Sequence, residues 1–451
     1  MDCYIGLDLG TSAIKGVLLS KEGKILATAS GEYQYQITPG RKLLDPCSFI
    51  DTCFDVINQL ADSVVSNDRI AAICPCCASG NLICLDHNFQ PLTPIIGWQS
   101  TVDEEELAEF YNDEEAAEVY RTVGWPVVNG FPIAYLPWIH KHKAEIIQNA
   151  GMICTSAEYL NFILTGNFGI SPSMATPFYL MDQEKGEYNK VLLDRFEIKE
   201  VQLPPIYDKG TLIGTVQSAL GDRLSLPVGT PVILGSFDHP SCATGAGVYE
   251  SGEVLLSCGT SWVEFFPIPN RNKGINSGLL VDRFMLDGSP YCVMSSLTSV
   301  SEKIDARRQH YLGEISHREF DELILQSTAG CNGLSFDFTE RDFTSGEGYE
   351  KCHIARAIME GIANLLKQSF IVADKKGLPA EHITMVGGIT NAPVCVQVIA
   401  DTLERDIKVV NSVSAGAVGA AMLAGIGVKA FTNEKEAFRQ MNFPERVYHA
   451  K

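Results

Sequence analysis

The sequence lacks an excess of basic residues, long apolar runs and an export signal. Its 35 Lys and Arg stand against 55 Asp and Glu, which gives a formal net charge of −20. This charge disfavours nucleic acid and anionic membranes as partners. The longest uncharged stretch rich in small residues, 413–428, is too short to cross a bilayer and predicts a buried helix. Met1-Asp2-Cys3 lacks the basic and apolar regions of a secretory signal.

A known zinc-binding spacing is also missing, although the sequence has 14 cysteines. Cys74, Cys76, Cys77 and Cys84 cluster, but C-x-C-C is not a zinc spacing and no paired His follows nearby. We expect small buried apolar residues here, with metal binding as an alternative. So many cysteines without an export signal fit a reducing compartment. We therefore expect a cytoplasmic protein.

The remaining composition is that of a globular protein, with 45% hydrophobic and 20% charged residues. A chain of 451 residues predicts two or three domains. The composition changes at 222–231, a segment that contains Pro227, Gly229 and Pro231. We therefore predict one domain over 1–231 and a second over 232–451.

The most informative stretch lies near the beginning of the chain. Two apolar runs within 5–19 flank the polar turn Gly10-Thr11-Ser12, and Asp8 stands near the end of the first run. The runs predict two buried strands. Backbone N–H groups and the hydroxyls of such a turn point at an anion, and a carboxylate beside it can hold hydrated Mg²⁺. An ordinary hairpin is the alternative.

The same pattern recurs later in the chain. Residues 253–266 form an apolar run, then Gly259-Thr260-Ser261, then a second apolar run. A repeat at this separation indicates two halves of common ancestry, each with a phosphate-binding turn. The second half opens with an apolar run that ends in Asp238, and His239-Pro240 follows. A carboxylate there is either functional or a helix cap.

The rest of the chain alternates predicted strands with predicted helices, which indicates an α/β protein. Strands are predicted in a three-stranded meander over 3–33 and at 70–76, 383–386 and 407–410, and helices at 48–65, 134–142, 155–164, 354–370, 393–403 and 415–425. Asn391 is predicted to cap the helix at 393–403. The acidic segment 102–121 predicts a solvated helix face.

Four groups of residues together resemble the FGGY family of carbohydrate kinases, which includes xylulokinase and glycerol kinase. They are Gly6-Leu7-Asp8-Leu9-Gly10-Thr11-Ser12; Gly235-Ser236-Phe237-Asp238 with Gly245-Ala246-Gly247; Cys258-Gly259-Thr260-Ser261; and Gly387-Gly388 with Ser414-Ala415-Gly416-Ala417. The resemblance implies two actin-like (ribonuclease H-like) domains with mixed sheets flanked by helices, around a cleft. The sugar would bind mainly to the first domain and ATP mainly to the second.

The resemblance also implies roles for particular residues, with Asp238 as the general base. Contacts to ATP are implied for Asp8, Gly10, Thr11, Ser12, Lys15, Gly259, Thr260, Ser261, Gly387, Gly388 and Asn391. Mg²⁺ would be held by Asp8 and Asp238, directly or through water. The acceptor would contact Ser79, Gly80, Trp98, Asp238 and His239.

The sequence departs from the family pattern at three places. The family's Trp-x-Asp-x-Arg is replaced by Trp98-Gln99-Ser100-Thr101-Val102, the third glycine of the adenosine loop is Ile389, and the region 333–348 is short. We expect an ATP-dependent kinase acting on a small sugar, ketose or polyol, in which a carboxylate takes the proton of the attacking hydroxyl. A catalytically inactive ATP- and sugar-binding module of the same fold is the alternative, and a polymerising or chaperone ATPase is a weaker one. The sequence does not name the sugar, and a homodimer is compatible with the resemblance.

Overall fold

The computed structural model describes residues 1–65, 68–259, 261–286, 290–338, 348–410 and 415–451. Strands and helices alternate along the chain, which confirms the predicted α/β class. The residues pack into two units. Unit 1 comprises Met1–Gly247, Pro269–Cys292 and Ser414–Phe443, and unit 2 comprises Val248–Ile268, Val293–Val413 and Pro444–Lys451. The predicted division into one domain over 1–231 and a second over 232–451 stays a prediction.

The strands of the described residues are numbered in chain order. They are β1 Asp2–Leu9, β2 Ala13–Ser20, β3 Ile25–Glu32, β4 Tyr35–Thr38, β5 Arg41–Leu44, β6 Arg69–Cys77, β7 Ile83–Leu85, β8 Ile95–Ile96, β9 Met152–Cys154, β10 Met181–Asp182, β11 Glu187–Tyr188, β12 Leu212–Thr215, β13 Pro231–Ile233, β14 Glu253–Cys258, β15 Trp262–Ile268, β16 Leu280–Arg283, β17 Tyr291–Leu297, β18 His382–Gly387, β19 Ile407–Val410 and β20 Glu445–Tyr448.

The α-helices are numbered in the same way. They are α1 Pro46–Ala61, α2 Glu104–Phe110, α3 Asp113–Val123, α4 Phe131–His142, α5 Ala144–Asn149, α6 Ser156–Thr165, α7 Pro172–Ala175, α8 Lys190–Arg195, α9 Asp238–Ala246, α10 Arg271–Ser277, α11 Val300–Leu312, α12 His317–Leu325, α13 Lys351–Lys375, α14 Pro393–Leu403, α15 Ala415–Gly427 and α16 Glu434–Met441. Among the described helices, none combines the length and apolarity that a membrane span requires.

The main sheet of unit 1 has six strands in the order β12-β13-β6-β1-β2-β3. Strand β1 runs antiparallel to β2 and parallel to β6, and β2 runs antiparallel to β3. The predicted meander is therefore confirmed. Asp8 pairs with Lys15 across β1 and β2, and residues directly opposite each other in such a pair share a face of the sheet.

The sheet of unit 2 repeats this arrangement around β14. Neighbouring strands within the unit follow the order β17-β15-β14-β18-β19-β20. Strand β14 runs antiparallel to β15 and parallel to β18, as β1 runs with β2 and β6. Each Gly-Thr-Ser turn thus joins a central strand to its antiparallel neighbour, in agreement with the repeat in the sequence.

Helix α15 packs against β1 and α9 in unit 1 because small residues permit a close approach. A Cβ atom on Gly6 of β1 would lie 1.9 Å from the carbonyl oxygen of Ala417, and one on Gly419 would lie 2.0 Å from that of Ser241 in α9. The hydroxyl of Ser241 also donates to the carbonyl of Gly416 at 2.8 Å. These contacts bring the beginning of α9 beside the end of β1.

The clustered cysteines lie on buried strands, as predicted. Cys74, Cys76 and Cys77 belong to β6 and Cys84 to β7, and each is at most 1% exposed. Burial raises the pKa of Cys76 well above the usual thiol value. These side chains contribute to the core of unit 1 as small apolar groups.

Candidate active site

The first turn lies between Leu9, the last residue of β1, and Ala13, the first of β2. The backbone N–H of Gly10 donates to the carbonyl of Ala13 at 3.1 Å, and the carbonyl of Ser12 accepts from the backbone N–H of Tyr33 at 3.0 Å. The side chain of Ser12 is exposed and that of Thr11 is half-buried. The turn is therefore held by backbone bonds, and its Ser12 side chain is open to solvent.

Asp8 is a partly buried carboxylate with unsatisfied hydrogen-bonding capacity. Its Oδ1 atom is buried and has no hydrogen-bond partner among the described residues. The pKa of Asp8 is raised to about 7, mainly by burial and next by the negative charge of Asp238, while the positive charge of Lys15 opposes both. A Cβ atom on Gly416 would lie 2.7 Å from Oδ2 of Asp8, so any larger residue at position 416 would clash with this carboxylate.

Asp238 is the first residue of α9, so the helix begins at the carboxylate itself. The backbone N–H of His239 donates to Oδ1 of Asp238 at 2.7 Å, and Phe237 at the N-cap makes no side-chain cap bond. Burial raises the pKa of Asp238, whereas His239 lowers it. A Cβ atom on Gly416 would also lie 3.2 Å from Sγ of Cys242, one turn after Asp238 on α9, so Gly416 contacts both Asp8 and the first turn of α9. The structure therefore brings Asp8 and the start of α9 together.

The pair of carboxylates fits a hard divalent cation. Mg²⁺ prefers oxygen ligands and is bound through one or two carboxylates, with water and phosphate completing its shell. The buried Oδ1 of Asp8 lacks a partner in the described structure, and a cation there would offset the repulsion that raises its pKa. Lys15 lies opposite Asp8 on β2 and is exposed, which suits contact with a phosphate.

The residues predicted to contact the acceptor also belong to unit 1, where Trp98 packs with aromatic residues that were not predicted to lie at the site. The indole Nε1 of Trp98 donates to Oγ1 of Thr11 at 3.0 Å. Gly80 has φ of +84°, and a Cβ atom there would lie 2.2 Å from Cδ1 of Phe131. The ring of Trp98 stacks on that of Phe131 with centroids 5.4 Å apart. Trp98 and Gly80 therefore meet at Phe131.

The cluster continues from Phe131 to the residues beside the candidate base. Trp125 packs edge-on against Phe131 at 5.3 Å and contacts Phe237 at 5.9 Å. Phe237 in turn lies edge-on to His239 at 5.2 Å. The aromatic cluster (Trp98, Phe131, Trp125 and Phe237) links the first turn to the start of α9. The one local signal in the sequence is that Pro126 follows Trp125, since the residue before a proline is disfavoured in a helix.

The altered tryptophan motif has a local structural explanation. Ser100, where the family has Asp, is fully buried, and its Oγ accepts from the backbone N–H of Lys42 at 3.0 Å and donates to the carbonyl of Lys42 at 3.3 Å. Val102, where the family has Arg, is 8% exposed. The ammonium of Lys42 donates to Oε1 of Gln99 at 2.6 Å. Both positions of the charged pair are thus neutral, and Ser100 and its neighbour Gln99 fasten this segment to β5.

The second turn, in unit 2, is held by the beginning of α11. The backbone N–H of Gly259 donates to the carbonyl of Ser261 at 3.2 Å, and the hydroxyl of Ser301 donates to the carbonyl of Gly259 at 2.7 Å. The backbone N–H of Ser299 donates to Oγ of Ser261 at 3.3 Å. Thr260, predicted to contact phosphate, lies outside the described residues.

The predicted adenosine-side residues follow β18. Gly387 has φ of +104°, and Gly388 and Asn391 bound a short 3₁₀ turn that exposes both residues. Helix α14 begins at Pro393 as predicted, but the prediction that Asn391 caps it was wrong. Ala392 occupies the N-cap and makes no side-chain bond, because the 3₁₀ turn places one more residue before the helix than the sequence pattern indicated.

Comparison with known proteins identifies the relatives of the chain. The model of the FGGY family of carbohydrate kinases, N-terminal domain, matches residues 3–245, and that of the C-terminal domain matches residues 325–428. A xylulose kinase of Staphylococcus epidermidis is 26% identical over 480 residues, covering 99% of this chain and 94% of that protein. An autoinducer-2 kinase of Salmonella typhimurium is 25% identical over 463 residues, covering 94% and 86%.

A solved structure supports the fold. The ligand-bound xylulose kinase from Lactobacillus acidophilus matches with a TM-score of 0.86 and 23% identity, over 100% of this chain and 94% of that one. At this identity the likeness concerns the fold alone. Together with the two mixed sheets flanked by helices, it confirms the expected actin-like domains.

Proposed function

The chain belongs to the FGGY family of carbohydrate kinases, and we propose that it transfers the γ-phosphoryl group of ATP to a hydroxyl of a small sugar, ketose or polyol, with Asp238 as the general base. One observation carries the assignment of the base. Asp238 stands at the start of α9, close enough to Asp8 at the end of β1 for the two charges to interact.

In this proposal Asp238 takes the proton of the acceptor hydroxyl as its oxygen attacks the γ-phosphorus. The new O–P bond forms while the bond from phosphorus to the β,γ-bridging oxygen breaks, and ADP leaves. A hydroxyl is a weak nucleophile at neutral pH, so a positioned carboxylate contributes about 10²–10⁴-fold. Burial of Asp238 raises its pKa, which increases its strength as a base.

Residues of the first turn stabilise charge on the transferred group. Thr11 and Ser12 offer hydroxyls, Gly10 belongs to the same turn, and Lys15 contributes positive charge. Asp8, with Asp238 directly or through water, would hold Mg²⁺, which would supply positive charge against the phosphate oxygens. In unit 2 we assign Gly259, Thr260 and Ser261 to the phosphates of ATP, and Gly387, Gly388 and Asn391 to its adenosine part.

The test replaces Asp238 by asparagine, a neutral side chain of the same shape. We expect kcat to fall by about 10²–10⁴-fold in an ADP-release assay over a panel of sugars and polyols. Asp194→Asn is the matched control, since Asp194 is exposed on α8. Activity of Asp238→Asn near that of the control would remove Asp238 from the base role.

The same assay addresses the alternative of a catalytically inactive binding module. Binding of ATP without turnover on any acceptor of the panel would favour that module over the kinase. A homodimer also stays a prediction, and light scattering of the purified protein measures the assembly directly.

A further inference from the structure

A group of three metal-ligating side chains lies at the beginning of α13, in unit 2. Among the residues that the structure describes, Glu350, Cys352 and His353 are the one set of three or more His, Cys, Asp or Glu side chains whose ligand atoms all lie within 4.8 Å of one another. Glu350 is the N-cap of the helix, and the other two belong to its first turn. None of the three is assigned a role in the proposed reaction.

The carboxylate of Glu350 is not used by the helix that it precedes. A side chain at the N-cap normally accepts a bond from a free backbone N–H of the first turn, but the side chain of Glu350 makes no such bond. Glu350 is exposed, and Sγ of Cys352 donates to its Oε2 at 3.7 Å. The carboxylate therefore lies beside the thiol and keeps lone pairs for a further partner.

The distance between these two groups fits one tetrahedral cation. Zinc binds sulfur at about 2.3 Å and carboxylate oxygen at about 2.0–2.2 Å, so a sulfur and an oxygen of one tetrahedral shell lie about 3.5–3.6 Å apart. The 3.7 Å between Sγ of Cys352 and Oε2 of Glu350 is close to that value. A zinc ion would displace the thiol proton to solvent and would replace a weak S–H···O contact by two metal–ligand bonds.

The third side chain, His353, is oriented by a serine that follows α12. Nδ1 of His353 lies 2.9 Å from Oγ of Ser327, and the hydroxyl of Ser327 donates to the carbonyl of Thr328 at 3.3 Å. Because its proton is used in this way, Ser327 acts as the acceptor of an N–H on Nδ1, which leaves the lone pair on Nε2. Metal-binding histidines commonly donate their other ring N–H to a protein acceptor, which fixes the tautomer and the ring.

We propose that Glu350, Cys352 and His353 form a binding site for Zn²⁺, with water in the fourth position. Thiolate, imidazole and carboxylate are all zinc ligands, whereas Mg²⁺ selects oxygen ligands. The charges of the thiolate and the carboxylate offset those of the cation, so the complex is neutral. The bound ion would fasten the first turn of α13, the longest described helix, and the proposal does not depend on the kinase activity.

Titration of the full chain with Co²⁺, in buffer with excess Mg²⁺, tests the sulfur ligand. Co²⁺ substitutes for zinc, and a thiolate ligand gives it a charge-transfer band in the near ultraviolet. We expect a single equivalent of Co²⁺ to produce this band and Zn²⁺ to remove it by displacement. Cys352→Ser should abolish the band, whereas Cys47→Ser, which changes an exposed cysteine of α1, should keep it. A missing band in wild type, or a band lost in Cys47→Ser, would overturn the proposal.

The other two ligands and the serine are tested by affinity, measured by competition with a zinc-responsive dye. Glu350→Gln and His353→Gln should each raise Kd for Zn²⁺ by at least about tenfold, and Ser327→Ala should raise it by about 10–100-fold, since it removes only the partner of the imidazole. Glu350 is exposed, so this variant should fold as wild type does. An unchanged Kd in Glu350→Gln would contradict the three-ligand site.

Thermal unfolding distinguishes a defined site from loose surface binding. A ligand that binds only the folded state raises Tm as its free concentration exceeds Kd. We expect Zn²⁺ to raise Tm of wild type and of Cys47→Ser but not of Cys352→Ser, whose Tm without metal should match that of wild type. An equal rise in all three proteins, or no rise in wild type, would contradict the proposal. Because these experiments use neither ATP nor an acceptor, their outcome is independent of the proposed function.

Discussion

The two Gly-Thr-Ser turns share a topology but differ in their chemistry. The first follows Asp8 and Leu9, and the second follows Ser257 and Cys258. The register of the strands leaves four residues between Leu9 and its partner Ile14, but three between Cys258 and its partner Trp262. The first turn therefore has a carboxylate where the second has a hydroxyl, and the second is one residue tighter.

The two turns also differ in the residues that contact them. Thr11 of the first accepts from Trp98, which belongs to the aromatic cluster beside Asp238. The second is held by Ser299 and Ser301 at the start of α11. Under the proposed function, one repeated sequence would serve two roles: the first turn would combine charge with a link to the acceptor side, and the second would offer neutral donors to an anion.

The largest effect should come from removing the charge that distinguishes the turns. We expect Asp8→Asn to lower kcat by on the order of 10²–10³-fold, because it removes a group that organises charge around the transferred phosphoryl. Ser257→Ala, at the matching position of the second turn, should stay within about twofold of wild type. Steady-state ADP release measures both, and equal losses would show that the two turns are not specialised.

A second comparison concerns one buried carboxyl in each unit. Burial raises the pKa of Glu158 in unit 1 and of Glu264 in unit 2 to about 7. Because the pKa of each is raised on folding, its contribution to stability is fully present below about pH 4.5 and is lost as pH rises through 7. For Glu158 the loss approaches about 3 kcal/mol.

Urea unfolding between pH 5 and pH 8 tests this expectation. Glu158→Gln and Glu264→Gln should each remove part of the decline in the free energy of unfolding, because each deletes a carboxyl whose pKa is raised on folding. If the free energy of unfolding of both variants depends on pH as that of wild type does, these two carboxyls do not cause the decline.

A third prediction separates glycines that the fold requires from those that serve a ligand. A Cβ atom on Gly387 would lie 2.2 Å from the carbonyl oxygen of Cys258 at a φ of +104°, whereas one on Gly259 would lie 3.6 Å from that of Ser261. We expect Gly387→Ala to destabilise unit 2 by about 1–3 kcal/mol. Gly259→Ala should change stability by less than about 0.5 kcal/mol but raise KM for ATP. An unchanged KM would remove Gly259 from the phosphate site.

The smallest effect concerns the hydrogen bond between Trp98 and Thr11. Trp98→Phe keeps an aromatic ring against Phe131 but deletes the donor to Oγ1 of Thr11, and one such bond contributes about 0.5–1.5 kcal/mol. We expect kcat to fall by about two- to tenfold while Kd for ATP stays close to wild type. A loss confined to KM of the acceptor would instead assign Trp98 to acceptor contact alone.

Much of the fold followed from local patterns. The apolar runs of 3–33 predicted β1, β2 and β3, and helical spacing of apolar residues predicted α13. Such predictions succeed because the spacing of apolar residues along a short segment indicates its secondary structure. The small residues of 415–425 predicted α15 as a buried helix. That pattern did not predict which elements α15 packs against. The helix lies some 400 residues after β1 in the sequence, yet Ala417 contacts Gly6 of β1.

The candidate site was likewise predicted in part from local patterns. The residues of the first turn, Asp8 and Asp238 each lie in a short segment with a recognisable pattern. One sequence therefore sufficed to propose a phosphate-binding turn, a cation site and a general base. The aromatic cluster could not be proposed, since Phe131 reaches Trp98 and Gly80 through contacts between segments distant in the chain. Periodicity records which residues are buried, but which buried surfaces meet depends on how distant elements pack together.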